Sequence, residues 1–345
     1  MKVAVVGASG YTGLELLRTL LRHPQFEIAA ITSEQRAGCP LGDAFPALRG
    51  HLDLRFEPAD PSALAGRVEL AFTALPHAAS AVTVRALHEA GVAVADLSAD
   101  FRLRELETYR AWYGEHPAPQ LLGSAVYGLP ELYREALRGA RLVAVPGCYP
   151  TSALIPLVPL LRAGVIAPTG IHIDAKSGVS GAGRTLEADY LFAELDGNCR
   201  AYKPGHSHRH APEIEQEASA AAGAEVRVTF VPHLLPAVRG IVTSVYARPA
   251  AGCSARDARA ALEAAYGGER FVRLLPPGET PSLRCVRGSN FCDVAVVDDA
   301  RNDTLVLLSA LDNLAKGASG QAVQCANLMC GFAEETGLLE APFAP

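Results

Sequence analysis

The sequence has no C-x-x-C pair, no H-E-x-x-H, no apolar run approaching the roughly eighteen residues of a membrane span, and no surplus of basic charge. The first absence excludes a zinc ribbon and a disulfide scaffold: Cys39, Cys148, Cys199, Cys253, Cys285, Cys292, Cys325 and Cys330 lie scattered and read as reduced thiols. The nearest approaches to a metal pattern are Cys325 with Cys330, and the alternate histidines His206, His208 and His210 of GHSHRH. No third-ligand motif accompanies either, so no metal is expected. The opening MKVAVVGASG reaches a glycine turn before a signal-peptide core could form, which sets the expectation of a cytoplasmic protein without a membrane partner. Thirty-one Lys and Arg against 37 Asp and Glu give a net charge of −6, which argues against nucleic acid as the main partner. What remains is an ordinary globular composition of 345 residues, 49% hydrophobic and 20% charged, with core enough for two domains.

The chain opens as a strand over Lys2–Val6, a glycine turn Gly7-Ala8-Ser9-Gly10-Tyr11-Thr12-Gly13, and leucines at helical spacing over 14–22. Strand, glycine turn and helix in that order make a phosphate cradle. Gly7 permits the tight turn, Gly10 lets the backbone approach a pyrophosphate, Gly13 allows close helix packing, and the helix N-terminus faces the phosphates. Ser9, Tyr11 and Thr12 line the same turn. The spacing is G-x-x-G-x-x-G, so the position after a strand carries the signal. A second strand over 27–31 ends in Thr32-Ser33-Glu34-Gln35-Arg36, where an NAD enzyme carries an acidic residue against the ribose. Ser33 and Arg36 suit a 2′-phosphate, provided Glu34 turns away, and NADP is expected over NAD. Further strand and helix patterns over 68–74, to 90, and over 92–97 imply a doubly wound parallel sheet.

The segment Ala144-Val145-Pro146-Gly147-Cys148-Tyr149-Pro150-Thr151-Ser152 places one cysteine on a Pro-Gly turn before an apolar helical run. The N–H groups and dipole of a helix N-terminus favour a thiolate there, making Cys148 a candidate nucleophile; the alternative is a small buried hydrophobe. Pro156 and Pro159 fall inside that run, so a kinked helix or irregular first turns are expected.

VGASGYTG at 6–13, DLSADFRL at 96–103, YGLPEL at 127–132, VPGCYPTSA at 145–153, KSGVSGAGR at 176–184, HRHAPEI at 208–214 and DNLAKGASGQAVQ at 312–324 occur in this order along the whole chain. Together they resemble the N-acetyl-gamma-glutamyl-phosphate reductase family of the aspartate-semialdehyde dehydrogenase-like superfamily. The resemblance implies an α/β fold: a Rossmann-type doubly wound NADP-binding domain over 1–147 and 313–345, with an inserted α+β catalytic and oligomerisation domain over 148–312 built on a mixed sheet. Strands are expected over 226–231, 240–247 and Thr304–Leu311, then a helix over 319–329 whose Ala322, Val323, Ala326 and Met329 repeat at helical spacing. It further implies an acyl phosphate substrate, a Cys148 thioester reduced by NADPH in arginine biosynthesis, and assembly as a dimer or tetramer.

By the same resemblance the relay histidine lies in the HRH string, His208 first and His210 second, with His206 a loop residue. Imidazole suits the task because its unperturbed pKa of about 6.5 lies near neutral pH. Arg102 would hold the substrate phosphate, with a surface ion pair to Asp100 or Glu105 as the alternative. Ser177 and Gly178 open a second glycine loop beside the substrate, and Asn313 would lie by the nicotinamide. The proline of CYPT favours this branch over the lysine-pathway aminoadipyl-phosphate reductases. A non-catalytic NADP-binding regulator would keep the Gly7 to Gly13 turn without needing Cys148.

Overall fold

The computed structural model describes residues 1–184 and 186–343, which fall into two compact units. The first comprises 1–146 and 318–340, the second 147–317 and 341–345, so the chain returns to the first unit at residue 318 rather than 313.

In the first unit seven strands form one parallel sheet: β1 (Lys2–Val6), β2 (Glu27–Thr32), β3 (Phe56–Glu57), β4 (Leu70–Thr73), β5 (Ala93–Asp96), β6 (Val126–Tyr127) and β7 (Leu142–Ala144). Their order is β3-β2-β1-β4-β5-β7-β6. The order reverses direction between β1 and β4, and that crevice at the strand C-termini is where an open α/β sheet takes a ligand. β1, β4 and β5 are near-continuous apolar runs because helices cover both faces of a parallel sheet. Ala4, Val6, Ala71, Val84, Leu87, Val94 and Leu142 pack together in one core.

The second unit holds a seven-stranded mixed sheet of β8 (Ile171–Gly178), β9 (Arg200–Ala201), β10 (Val228–Leu235), β11 (Ile241–Ala247), β12 (Val272–Leu274), β13 (Cys292–Asp299) and β14 (Thr304–Leu311). The order is β12-β13-β14-β11-β8-β10-β9, with only the β8–β10 and β12–β13 pairs parallel. Helix Cys148–Arg162 packs on this sheet and against helices Ala211–Ala222 and Ala255–Tyr266. The opposite face alternates outward: His172, Asp174 and Lys176 on β8, Thr229, Val231 and His233 on β10, and Tyr246 on β11 are all at least partly exposed.

Helix Cys148–Arg162 corrects the expectation of irregular first turns. The N–H of Thr151 donates to Gly147 at 2.9 Å, closing a regular first turn, and the helix continues through Pro156 and Pro159 to Arg162. A proline removes the N–H that would serve the carbonyl four residues back. Here those carbonyls belong to Ser152 and Ile155, and hydroxyls from elsewhere in the unit replace the missing donors: Ser309 donates to Ser152 at 2.6 Å, and Tyr266 to Ile155. Every residue from Tyr149 to Leu161 is buried, so packing on all sides keeps the helix continuous through positions where propensity opposes it.

Candidate active site

The glycine turn of the first unit is tighter than its sequence suggests. Helix Tyr11–Leu20 already begins at Tyr11, so Tyr11, Thr12 and Gly13 form its first turn rather than the loop before it. Gly7 has φ +81°, and a Cβ there would stand 2.7 Å from the Ala74 carbonyl oxygen; one at Gly13 would stand 2.4 Å from that of Ala8. Both positions therefore exclude a side chain, whereas Gly10 faces open space. No side chain caps the helix and no acidic residue stands in its first turn. Its N–H groups and positive dipole end are thus disposed toward an anion, which fits a pyrophosphate. At the end of β2 the Ser33 hydroxyl, buried, donates to Ser9 Oγ at 2.9 Å and links the turn to the ribose-side loop. Arg36 follows at the surface of that loop, and the Glu34 carboxylate accepts the N–H of Ala59 at 2.7 Å.

The DLSADFR segment buries its charges. Asp96, fully buried, accepts hydroxyls from Thr73, Ser80 and Ser98, and burial raises its pKa above the usual carboxylate range. Asp100 accepts the N–H groups of Ala78 and Ala81 and the hydroxyl of Tyr109. Arg102 is not the surface cation of the simpler reading. It is buried, and its guanidinium donates to the carbonyls of Val145 at 2.8 Å and Leu97 at 2.7 Å, bracing the strand end that leads to the Pro-Gly turn.

Within the second unit a cavity of about 170 Å³ is lined by Cys148, Ser177, Gly178, Tyr202, His208 and His210, with Tyr149, Gly181, Ala182, Tyr190 and Leu234 completing the wall. Cys148 is the first residue of its helix and Gly147 the N-cap. Helix Ala211–Ala222 delivers its own N-terminus to the same turn: the Gly147 N–H donates to the buried Glu213 carboxylate at 2.9 Å, and a Cβ at Gly147 would stand 2.5 Å from His210 Nε2. The imidazole of His210 therefore lies against the residue preceding the thiol, and only glycine leaves it room.

His208 sits among rings: Tyr149, Tyr202, Phe230 and His210 lie with ring centroids 5.7, 5.4, 5.3 and 4.9 Å away. Burial, reinforced by Lys203 and Arg209, pushes its pKa down to about 4. Its Nδ1 accepts the N–H of His210 at 3.2 Å, so the neutral ring keeps its proton on Nε2. His206 is exposed and pairs with Glu215 at 3.4 Å. The Tyr202 hydroxyl donates to that of Tyr149, which donates to the His233 carbonyl, both at 3.1 Å. Burial holds both phenols well above their ordinary pKa.

Ser177 and Gly178 end β8, and a short 3-10 turn Val179–Ala182 follows. Asn313 supports this loop from behind, donating to Ser180 Oγ at 2.9 Å and accepting the Gly240 N–H at 2.7 Å, within the second unit. Glu213, Tyr149 and Tyr202 were not singled out from the sequence. The i, i+3 spacing of His210 and Glu213 across a helix start was the available signal.

Residues 2–140 match the family model described as semialdehyde dehydrogenase, NAD binding domain, and residues 148–313 match semialdehyde dehydrogenase, dimerisation domain. N-acetyl-gamma-glutamyl-phosphate reductases from Geobacter sp., Desulfotalea psychrophila and Moorella thermoacetica are 50%, 48% and 50% identical, covering 100%, 100% and 99% of this chain and the same shares of their own. The chain belongs to the N-acetyl-gamma-glutamyl-phosphate reductase family. This family member is an oxidoreductase of the semialdehyde dehydrogenase type with an NAD(P)-binding domain. Its fold is shared with aspartate semialdehyde dehydrogenase II from Vibrio cholerae (TM-score 0.72, 22% identity, 96% of this chain and 98% of that one). It is shared equally with the Candida albicans aspartate semialdehyde dehydrogenase solved with NADP (TM-score 0.71, 18% identity, 95% and 98%). Among the described residues of the reductase, no helix is long and apolar enough to cross a membrane.

Proposed function

We propose that this chain reduces N-acetyl-L-glutamyl 5-phosphate to N-acetyl-L-glutamate 5-semialdehyde and inorganic phosphate, with Cys148 as covalent nucleophile and NADPH as reductant. The observation that carries the chemistry is Cys148 at a helix N-terminus, with His210 against the preceding glycine and a cavity opening on both.

The Cys148 sulfur attacks the acyl carbon, the carbon–oxygen bond to phosphate breaks, and phosphate leaves with that electron pair, giving a thioester. When bound, NADPH supplies the hydride that reduces the thioester carbon. His210 gives a proton to the oxygen that gains charge and takes it back as the carbon–sulfur bond breaks, releasing the aldehyde and the thiolate. His208, neutral at physiological pH, has no spare proton to give and serves as a donor through Nε2–H. Glu213 keeps the Gly147 turn, and with it the sulfur, in place. Ser177 and Gly178 flank the acyl group; Arg102 holds the segment before the nucleophile and takes the substrate phosphate.

Gly7, Ser9, Gly10, Tyr11, Thr12 and Gly13 would hold the NADPH pyrophosphate, and Ser33 and Arg36 its 2′-phosphate; Asn313 acts through the Ser180 loop it supports. The partly exposed face of the β8–β10–β11 sheet, with the family description of this region, supports a homo-oligomer joined through that face; the reaction is proposed to take place in the cytoplasm. Turnover on N-acetylglutamyl phosphate, its one-carbon-longer homologue and aspartyl phosphate tests the assignment: a preference of at least tenfold for the first is expected, and a preference for either other substrate overturns it.

A further inference from the structure

The buried carboxylate of Asp312 touches neither the cavity nor the thiol, yet it lies behind both walls of the site. The residue ends the run after β14, has no exposed surface, and fills its acceptor sites with five N–H donors. Arg239 grips it through Nε at 2.9 Å and Nη2 at 3.0 Å, Gly288 donates at 2.7 Å, and Leu314 and Ala315 donate at 2.9 and 3.2 Å. A buried carboxylate with this many charge-assisted and backbone donors has a single orientation available to it.

Two paths lead from Asp312 to the chemistry. Through its side chain it fixes Arg239, and the backbone of 237–239 is the floor under the Ser177-Gly178 wall: a Cβ at Gly178 would stand 2.8 Å from the Arg239 nitrogen. Val179 and Ser180 donate their N–H groups to Ala237 and Val238 at 2.9 and 3.1 Å, so the wall follows the floor. Through its backbone, the Asp312 carbonyl accepts the Gly317 N–H at 2.9 Å. Gly317 lies in the π-turn Ala315–Ser319, and a Cβ there would stand 2.8 Å from Cys148 Cβ. Single π-turns are uncommon and concentrate at functional sites, where they re-aim a residue that regular helix would misplace.

We infer that Asp312 is a positioning residue for the reductase reaction, setting the distance between the Cys148 sulfur and the Ser177-Gly178 wall by clamping Arg239 on one side and Gly317 on the other. This rests on the proposed role of Cys148, but the clamp is measurable without substrate.

The experiment uses the full-length enzyme and three variants: Asp312→Asn, Arg239→Lys, and the double variant Asp312→Asn with Arg239→Gln. Asp312→Asn leaves the Arg239 cation without its counter-charge, whereas the double variant removes both charges and relieves that penalty. Iodoacetamide alkylation of Cys148, followed by mass spectrometry across pH 6 to 9, reports the thiol; thermal unfolding reports the fold; steady-state kinetics report turnover. Asp312→Asn is expected to lower kcat at least about 30-fold with KM changed less than about threefold, and to shift the alkylation profile. The double variant is expected to recover thermal stability without recovering alkylation or kcat. Arg239→Lys, which keeps the charge and loses the two-nitrogen grip, is expected to slow both about threefold to tenfold while folding normally. Return of alkylation and kcat together with stability in the double variant overturns the inference, as does native alkylation in Arg239→Lys. A protein whose alkylation responds as described but which turns over no acyl phosphate sinks the functional proposal and leaves the clamp standing.

Discussion

The Tyr266 hydroxyl donates to the carbonyl oxygen of Ile155 at 2.5 Å, four residues before Pro159 and 111 residues away in sequence. A proline inside the nucleophile's helix is thus matched by a donor from another helix. Removing that donor leaves a buried carbonyl unsatisfied, at a cost of about 1–3 kcal/mol. Tyr266→Phe is expected to lose that much unfolding free energy in urea titrations followed by circular dichroism. Ser309→Ala, which orphans Ser152 in the same way, is expected to lose a similar amount. Pro159→Ala in the Tyr266→Phe background restores an N–H to Ile155, so most of the loss should return; no recovery would mean the hydroxyl serves some other partner.

His208 governs part of the acid response. Its folded pKa of about 4 lies below the unfolded value near 6.5, so the unfolded chain binds the extra proton over that interval. Stability linked to this ring is complete above pH 6.5 and falls as pH drops toward 4. Burial depresses His23 and His116 in the same direction, so His208→Phe should flatten the acid limb of the melting-temperature profile only in part. An unchanged limb between pH 6.5 and 4 contradicts the buried neutral imidazole.

The two histidines should separate kinetically. His210→Asn is expected to lower kcat by about 10²–10⁴-fold, while phosphate release on acylation survives better than aldehyde formation. His208→Asn should cost less in kcat. The reverse order would move the proton from His210 to His208.

Cofactor choice is read at Arg36. Arg36→Ala should reduce the preference for NADPH over NADH by about tenfold or more in kcat/KM, chiefly through the NADPH value. A ratio that does not move removes Arg36 from the 2′-phosphate.

The parallel sheet was legible in the sequence because β1, β4 and β5 are near-continuous apolar runs and the glycine turn follows a strand directly. The placement of Cys148 at a helix start was legible because proline, glycine and cysteine converge on one turn. The continuity of its helix was not: Pro156 and Pro159 argue locally for a break, and the donors that offset them come from Tyr266 and Ser309, which no local pattern links to Ser152 and Ile155. The contrast between His208 and His210 was hidden for the same reason. Alternation along GHSHRH says nothing about which ring is enclosed by Tyr149, Tyr202 and Phe230 and which rests on Gly147. For Arg102 the sequence offers a phosphate ligand or a surface ion pair, and only the fold brings the Val145 and Leu97 carbonyls around it.

The central claim is a covalent acyl intermediate on Cys148. Mixing the enzyme with N-acetylglutamyl phosphate in the absence of NADPH, quenching in acid and digesting should yield one N-acetylglutamyl group per chain on the Cys148 peptide, with one phosphate released in the same burst. The adduct should vanish on adding NADPH and be missing from Cys148→Ser. Full NADPH-dependent turnover by Cys148→Ser, or an acyl group recovered on any residue other than Cys148, would contradict the account.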